Sequence, residues 1–236
     1  MNGPIYEFGS YLVEGQQDRG NLRGFFPGKP FTGCDMRRGP GVDRLENLSQ
    51  LSLPNHVAQS ILCLDTLEHV FEVERAVQEM IRILAPGGIM ALSVPMNFPI
   101  HDYPDDYWRL TPSCLMRLLG PLDGRVIGYQ GEERYPHTIF ALGFKAPFDA
   151  RLAVGVNRLL ETFQAWLDQT ANQLSWSESL KRWKNLYLRG KGQRQAEQNR
   201  HRAQFVVDLP STFSLTKPHS HLLQKHPALN RHGGIV

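Results

Sequence analysis

Three carboxylates end short apolar runs in this chain. Glu7 lies in Pro4-Ile5-Tyr6-Glu7-Phe8, Asp35 ends Phe31-Thr32-Gly33-Cys34-Asp35, and Asp65 follows Ile61-Leu62-Cys63-Leu64. An apolar run of that length without helical periodicity suits a strand buried on both faces of a parallel sheet. In open parallel sheets, ligands bind at the carboxyl ends of the strands. Gly9, just past the first run, lets a ligand approach the backbone closely. An acidic residue ending the second strand can accept both hydroxyls of a ribose. Glu7 and Asp35 are 28 residues apart, the span of one strand-helix-strand unit. The pattern supports an adenosine-type ligand. Spacing alone leaves open whether that ligand is a nicotinamide cofactor or S-adenosylmethionine (SAM). The missing Gly-x-Gly-x-x-Gly after the first run argues against an oxidoreductase.

The elements that must position these residues alternate in type. Strands are predicted at Pro4–Phe8, Phe31–Asp35, Val42–Leu45, the Ile61 run and Ile89–Val94. A weak helix is predicted over Tyr11–Arg23, interrupted by Gly15 and Gly20. A stronger one runs from Phe71 to Leu84, where Val73, Val77, Met80, Ile81 and Leu84 recur at helical spacing before Pro86-Gly87-Gly88. Thr111-Pro112 opens a helix to Leu119. Gly124–Gln130 and Thr138–Lys145 read as an antiparallel pair. Repeated strand, helix, strand argues an α/β sheet.

The texture changes beyond Pro147. Leu152, Val156, Leu159, Phe163, Trp166, Leu167 and Leu174 trace a helical stripe. Ser175-Trp176-Ser177-Glu178 reads as a capping box, and Arg189–Arg202 is polar and basic. From about Asp208 the chain is rich in Pro, Ser and His. Three regions are therefore expected: a ligand-binding domain at 1–146, a helical basic extension at 147–205, and an irregular tail at 206–236. Charge divides the same way. Residues 1–146 carry 13 Lys/Arg against 17 Asp/Glu, and residues 147–236 carry 13 against 6.

With 236 residues and 41% hydrophobic content the chain can build a real core. Its three cysteines are odd in number and widely spaced, which favours buried thiols over a disulfide or metal site. The five histidines after residue 200 lack ligand-like context, so no metal is expected. No run of apolar residues reaches a membrane span, and Met1-Asn2-Gly3-Pro4 lacks the pattern of a signal peptide. These features predict a cytoplasmic protein, with a membrane-peripheral variant considered below.

Six pieces in order carry a family resemblance. They are Glu7-Phe8-Gly9-Ser10, Gly33-Cys34-Asp35-Met36-Arg37, Gly39-Pro40-Gly41-Val42-Asp43, Leu64-Asp65-Thr66-Leu67-Glu68-His69, Leu84-Ala85-Pro86-Gly87-Gly88 and Asp106-Tyr107-Trp108-Arg109-Leu110-Thr111-Pro112. Over roughly Ile5 to Lys145 the chain resembles class I SAM-dependent methyltransferases, the type 11-like methyltransferase domain. The resemblance implies a Rossmann-like methyltransferase sheet, mostly parallel with an antiparallel last strand, followed here by the helical C-terminal extension. It implies SAM as cofactor. Glu7 and Gly9 would lie beside its amino-acid moiety, with Ser10 in the same piece. Asp35 would hold the ribose, with Met36 next to it, and Asn47 would stand near adenine. Leu64 and Asp65 would flank the adenosine and sulfonium. In this chain Tyr11 and Val13 replace the family's small residues, so the first loop is expected to take a different path. A degenerate or N-terminally truncated member is the alternative.

Methyl transfer to oxygen calls for a proton acceptor near the acceptor atom. His69, His101, Asp102 and Asp105 are the candidates, although Glu68-His69 also suits the plain opening of a helix. Tyr107, Trp108 and Arg109 are expected to line the acceptor pocket, with Arg109 pairing an anionic group. The expected activity is methylation of a small-molecule or glycan-type acceptor. The alternative is a non-catalytic module of the same fold with a basic helical arm. In that arm Trp176, Leu180, Trp183, Leu186 and Tyr187 run beside Lys181, Arg182, Lys184 and Arg189, a composition suited to an anionic membrane surface at 176–189. Nucleic acid ranks last as a partner, since no recognised module is present.

Overall fold

The computed structural model describes residues 1–15, 20–101, 105–132, 135–148, 150–172 and 203–210. Eight strands form one sheet: β1 (Ile5–Phe8), β2 (Phe31–Asp35), β3 (Arg44–Leu45), β4 (Ala58–Leu64), β5 (Leu84–Pro95), β6 (Gly124–Glu132), β7 (Tyr135–Phe144) and β8 (Ala203–Asp208). Their order is β3-β2-β1-β4-β5-β7-β6-β8. The pairs among β1 to β5 are parallel, whereas β7 runs antiparallel to both β5 and β6. The mostly parallel Rossmann-like sheet with a reversed late strand is therefore present.

Apolar runs explain the centre of the sheet. In β4, Ala58, Ile61, Leu62 and Cys63 are all buried, as a central strand covered on both faces requires. Helix α1 (Val73–Ile83) covers one side through Ala76, Val77, Met80 and Ile83, none of them exposed. Helix α2 (Pro112–Leu118) starts where Thr111 accepts a hydrogen bond from the Cys114 amide, with proline in its first turn. Both helices lie within a residue or two of their predicted bounds.

Two expectations are corrected. Tyr11–Arg23 is not helical at its start. Residues 11–13 are irregular, Glu14 and Gly15 turn, Gly20 is helical and Leu22–Phe25 make a 3-10 turn, while residues 16–19 lie outside the described residues. Gly15 sits at φ +80, a left-handed conformation that ends helical geometry. Second, the boundary between the expected extension and the expected irregular tail falls inside β8. This strand pairs antiparallel with β6, Val126 opposite Val207 and Gly128 opposite Phe205. Its Phe-Val-Val core was too short to stand out beside the basic stretch before it.

β8 belongs to a second, smaller core. Helix α3 (Ala150–Asn172) lays Val156 and Leu160 with Phe163 against Val126, Phe144 and Phe205. Phe140, Phe163 and Phe205 form an aromatic cluster with ring centroids 4.9–5.5 Å apart. The basic stripe at 176–189 lies outside the described residues. Among the described residues no helix is long and apolar enough to cross a membrane.

Candidate functional site

The carboxyl ends of β1, β2 and β4 open into a crevice of about 820 Å³, inside the range of ordinary small-molecule sites. Gly9, Asp35, Met36, Asn47, Asp65, His69, His101, Asp105 and Tyr107 all line it. Residues spread over 99 positions of sequence thus meet in one place. Glu7, Ser10, Leu64, Trp108 and Arg109 do not line it.

At the β1–β2 end, the chain turns sharply after Phe8. The amides of Gly9 and Ser10 both donate to the Cys34 carbonyl, at 3.0 and 3.2 Å. Gly9 adopts φ +82, and a Cβ there would sit 2.1 Å from Thr66 Oγ1. Only glycine fits this turn. Thr66 in turn donates to the carbonyls of Leu64 and Phe8, tying the ends of β4 and β1 together. Ser10 is buried, with no hydrogen-bond partner for its hydroxyl among the described residues.

Asp35 is buried at the end of β2, and its carboxylate already accepts three hydrogen bonds. Tyr11 N–H reaches Oδ2 at 3.3 Å, and the Arg37 amide and Nε reach Oδ1 at 3.0 and 3.2 Å. The Arg37 guanidinium lies over the Tyr11 ring, 4.2 Å from its centroid. The first loop thus follows a path of its own, with Tyr11 packed on Gly39, where an added Cβ would meet its ring at 2.2 Å. A carboxylate has about four lone-pair sites, so one remains for a ribose hydroxyl without rearrangement. Asn47 sits beyond β3, its amide oxygen accepting from Ser49 N–H at 3.0 Å.

Glu7 lies behind this surface rather than on it. Burial pushes its carboxyl up to about 7; Arg23 opposes that shift and Asp43 adds to it. Sequence reasoning missed Glu46, a buried carboxylate that does line the crevice. Burial pushes its pKa up, but Ser52 donates to it from both N and Oγ, at 2.8 and 2.6 Å, and Arg44 pairs with it, so the net shift is downward. Its signal was the same as that of Asp35: an acidic residue just past a strand.

The β4 end is built differently. Asp65 takes a left-handed φ of +46, held by Ser93, whose Oγ donates to Asp65 Oδ1 at 2.9 Å. A short 3-10 turn over Leu67–His69 then buries Glu68 completely while His69 faces the crevice. Burial pushes the Glu68 carboxyl up to about 8; its own amide opposes this, and Asp65 and Asp106 add to it. Neither Glu68 oxygen accepts a hydrogen bond from another residue among those described. His69 Nδ1 lies 2.6 Å from the Asp105 carbonyl. A carbonyl only accepts, so Nδ1 carries a proton, and in the neutral imidazole Nε2 presents its lone pair. That Nε2 is 3.8 Å from Glu68 Oε1.

The segment after β5 closes this end. Tyr107 and Trp108 both donate their amides to the Glu68 carbonyl, at 2.8 and 3.2 Å. Tyr107 faces the crevice, its hydroxyl donating to Asp105 Oδ2 at 2.8 Å. Two predicted acceptor contacts are corrected. Trp108 packs against the core and donates its indole N–H to the Val70 carbonyl at 3.0 Å. Arg109 is occupied: it grips both oxygens of Asp106 at 2.5 and 2.6 Å and donates to the carbonyls of Trp108, Pro99 and Phe98. Its fork fits a planar carboxylate inside its own chain. Asp106, with Arg109 on it, is held well below the usual carboxylate range. Asp102 lies outside the described residues.

Residues 32–92 match the sequence family described as a methyltransferase domain. That stretch runs from β2 through most of β5 and includes Asp35, Asn47, Asp65 and His69. The sheet around it is mostly parallel with a reversed late strand, as the resemblance implies. Over residues 32–92 the chain carries the match to a methyltransferase domain. Among solved structures, the chain is similar to a SAM-dependent methyltransferase from Thermotoga maritima, at 15% identity over 62% of this chain and 84% of that one, with a TM-score of 0.46. It is similar to another from Methanosarcina mazei, at 14% identity over 61% and 92%, TM-score 0.42. The CurJ carbon methyltransferase is similar at 14% identity over 61% and 48%, TM-score 0.46. No curated protein matches the sequence. The family matched by residues 32–92 implies SAM as cofactor.

Proposed function

We propose that the methyltransferase domain binds SAM along the β1–β2–β4 edge and methylates a small-molecule or glycan-type acceptor at the His69 end of the crevice. The observation that carries this reading is the convergence of Gly9, Asp35, Asn47 and Asp65 on one crevice. Asp35 accepts from the ribose at its remaining lone pair, and the turn at Gly9 keeps the backbone low enough for the amino-acid moiety. Asn47 meets the adenine. SAM supplies a methyl group on a positively charged sulfur. The chain's own task is to hold the acceptor in line and exclude water. His69, His101 and Asp105 surround the acceptor and offer proton acceptors. The glycan-type acceptor follows from the family resemblance rather than from a particular side chain. The protein acts in the cytoplasm in this reading, and the stripe at 176–189 is proposed as a contact for anionic membrane.

Calorimetry with SAM and S-adenosylhomocysteine tests this reading. Both are expected to bind the full chain with one-to-one stoichiometry, and Asp35→Ala is expected to weaken binding about tenfold to a hundredfold, as removal of a charged hydrogen-bond acceptor does. A folded wild-type chain that binds neither compound overturns it. One observation favours a second reading, a non-catalytic module: Tyr11 N–H and Arg37 already occupy Asp35. Absent SAM binding, together with co-sedimentation on phosphatidylserine vesicles but not on phosphatidylcholine ones, would select it.

A further inference from the structure

Glu68 is the residue that methyl transfer leaves unexplained. It is fully buried beside an otherwise ordinary crevice, and its two carboxylate oxygens meet no donor from another described residue. Leaving such a group without a partner is costly, and native structures do so only where something else satisfies it. What faces it is not a donor. His69 holds a proton on Nδ1 against the Asp105 carbonyl, so in its neutral form the lone pair of Nε2 points toward Glu68 Oε1 across 3.8 Å. A lone pair opposite a carboxylate oxygen is an arrangement that only a cation or an added proton can relieve.

A third donor completes the group. One ring nitrogen of His101 joins Glu68 and His69, and the three ligand atoms all lie within 4.8 Å of one another. The two imidazoles meet edge to face, centroids 4.8 Å apart. We propose that Glu68, His69 and His101 form a divalent transition-metal site at the acceptor end of the crevice. One carboxylate and two imidazoles make a mixed nitrogen and oxygen donor set, suited to manganese, iron, cobalt or zinc rather than to calcium. Bonds of about 2.1 Å place two ligands at most roughly 4.2 Å apart. The Glu68–His69 distance already meets that limit. His101, whose side chain is 37% exposed, closes the remaining gap by a small movement.

The surroundings are those of a metal centre. His69 is oriented by a backbone carbonyl on its far nitrogen, the usual way a ligating imidazole is fixed. The amides of Tyr107 and Trp108 clamp the backbone of Glu68 itself. Asp106 stands 3.0 Å from His101 Nδ1, in contact but out of line for a hydrogen bond, and Arg109 neutralises it. Three protein ligands leave positions open toward the crevice, where an acceptor bearing oxygen donors would bind. This last step rests on the methyltransferase reading, whereas the metal site does not. In it, the two histidines hold an ion instead of taking a proton.

The test is titration of the metal-stripped full chain with cobalt(II), followed by visible absorption, and with manganese(II), followed by electron paramagnetic resonance. One equivalent is expected to bind, with ligand-field bands of a nitrogen and oxygen site. Glu68→Gln and His101→Ala are each expected to weaken binding at least a hundredfold, and Asp35→Ala to leave it unchanged. His101 is partly exposed, so its variant serves if Glu68→Gln fails to fold. Wild-type binding no tighter than that of His101→Ala overturns the site. SAM calorimetry on the same metal-stripped sample separates this outcome from failure of the methyltransferase reading.

Discussion

The two ends of the crevice treat their buried carboxylates in opposite ways. At the β2 end, Asp35 accepts three hydrogen bonds from its own chain, from Tyr11 N–H and two nitrogens of Arg37. At the β4 end, Glu68 is more deeply buried yet receives no donor from another described residue, and its neighbour His69 offers a lone pair. A ligand for Asp35 meets one remaining lone pair, and Glu68 is satisfied by a cation or an added proton. The first carboxylate is accounted for by bonds within its own chain. The second needs an account of its own, because burial without a partner costs stability that nothing else at that end returns.

Four substitutions sharpen this contrast. The largest effect is expected from Arg109→Ala, which leaves Asp106 buried and charged without its bidentate partner. Removing one member of a buried pair costs about 3 kcal/mol or more, and the loss would appear in denaturant unfolding. A loss near zero would show that Arg109 is available to an acceptor after all. Gly9→Ala comes next, at about 2 kcal/mol, since it forces a side chain into a left-handed turn against Thr66. An unchanged melting temperature would mean that the turn relaxes.

A pH effect follows from Glu7. Its folded carboxyl is pushed to about 7, above the ordinary 4.5. Between those values the folded state binds more protons than the unfolded one, so stability falls as pH rises. Its favourable contribution is complete below about pH 4.5 and is lost as the pH climbs through 7. Glu7→Gln should therefore flatten the decline of melting temperature between pH 5 and pH 8, and an identical slope in both proteins would refute the burial argument. The smallest effect is expected from Arg37→Ala. It removes one donor from Asp35, and SAM should bind several-fold tighter if that donor competes, by the usual net value of a hydrogen bond. Weaker binding would instead make Arg37 part of the cofactor site.

The sheet was legible in the chain because its signals are local. Apolar runs ending in Asp35 and Asp65 mark β2 and β4, and the spacing of Val77 and Met80 marks α1. Tyr11 and Val13 drew attention to the first loop, but the packing of Tyr11 on Gly39 and Arg37 is visible only in the structure. β8 stayed hidden: Ala203–Asp208 is a strand only because β6 offers it an edge and Phe140 and Phe163 offer Phe205 a cluster. Trp108 and Arg109 were misread for a similar reason. A charged or aromatic residue near a crevice can face inward or grip its own chain, and composition does not distinguish the two.

By itself the sequence determined the strand ends, the glycine at position 9 and the carboxylate at position 35, since each follows from neighbours a few residues away. Only the tertiary structure decided that Glu68 turns inward while His69 turns outward, and that His101, over 30 positions later, comes back to meet them. The reason is physical. Which side of a single 3-10 turn is buried depends on what packs against it, and here the amides of Tyr107 and Trp108 clamp the Glu68 carbonyl and set that choice.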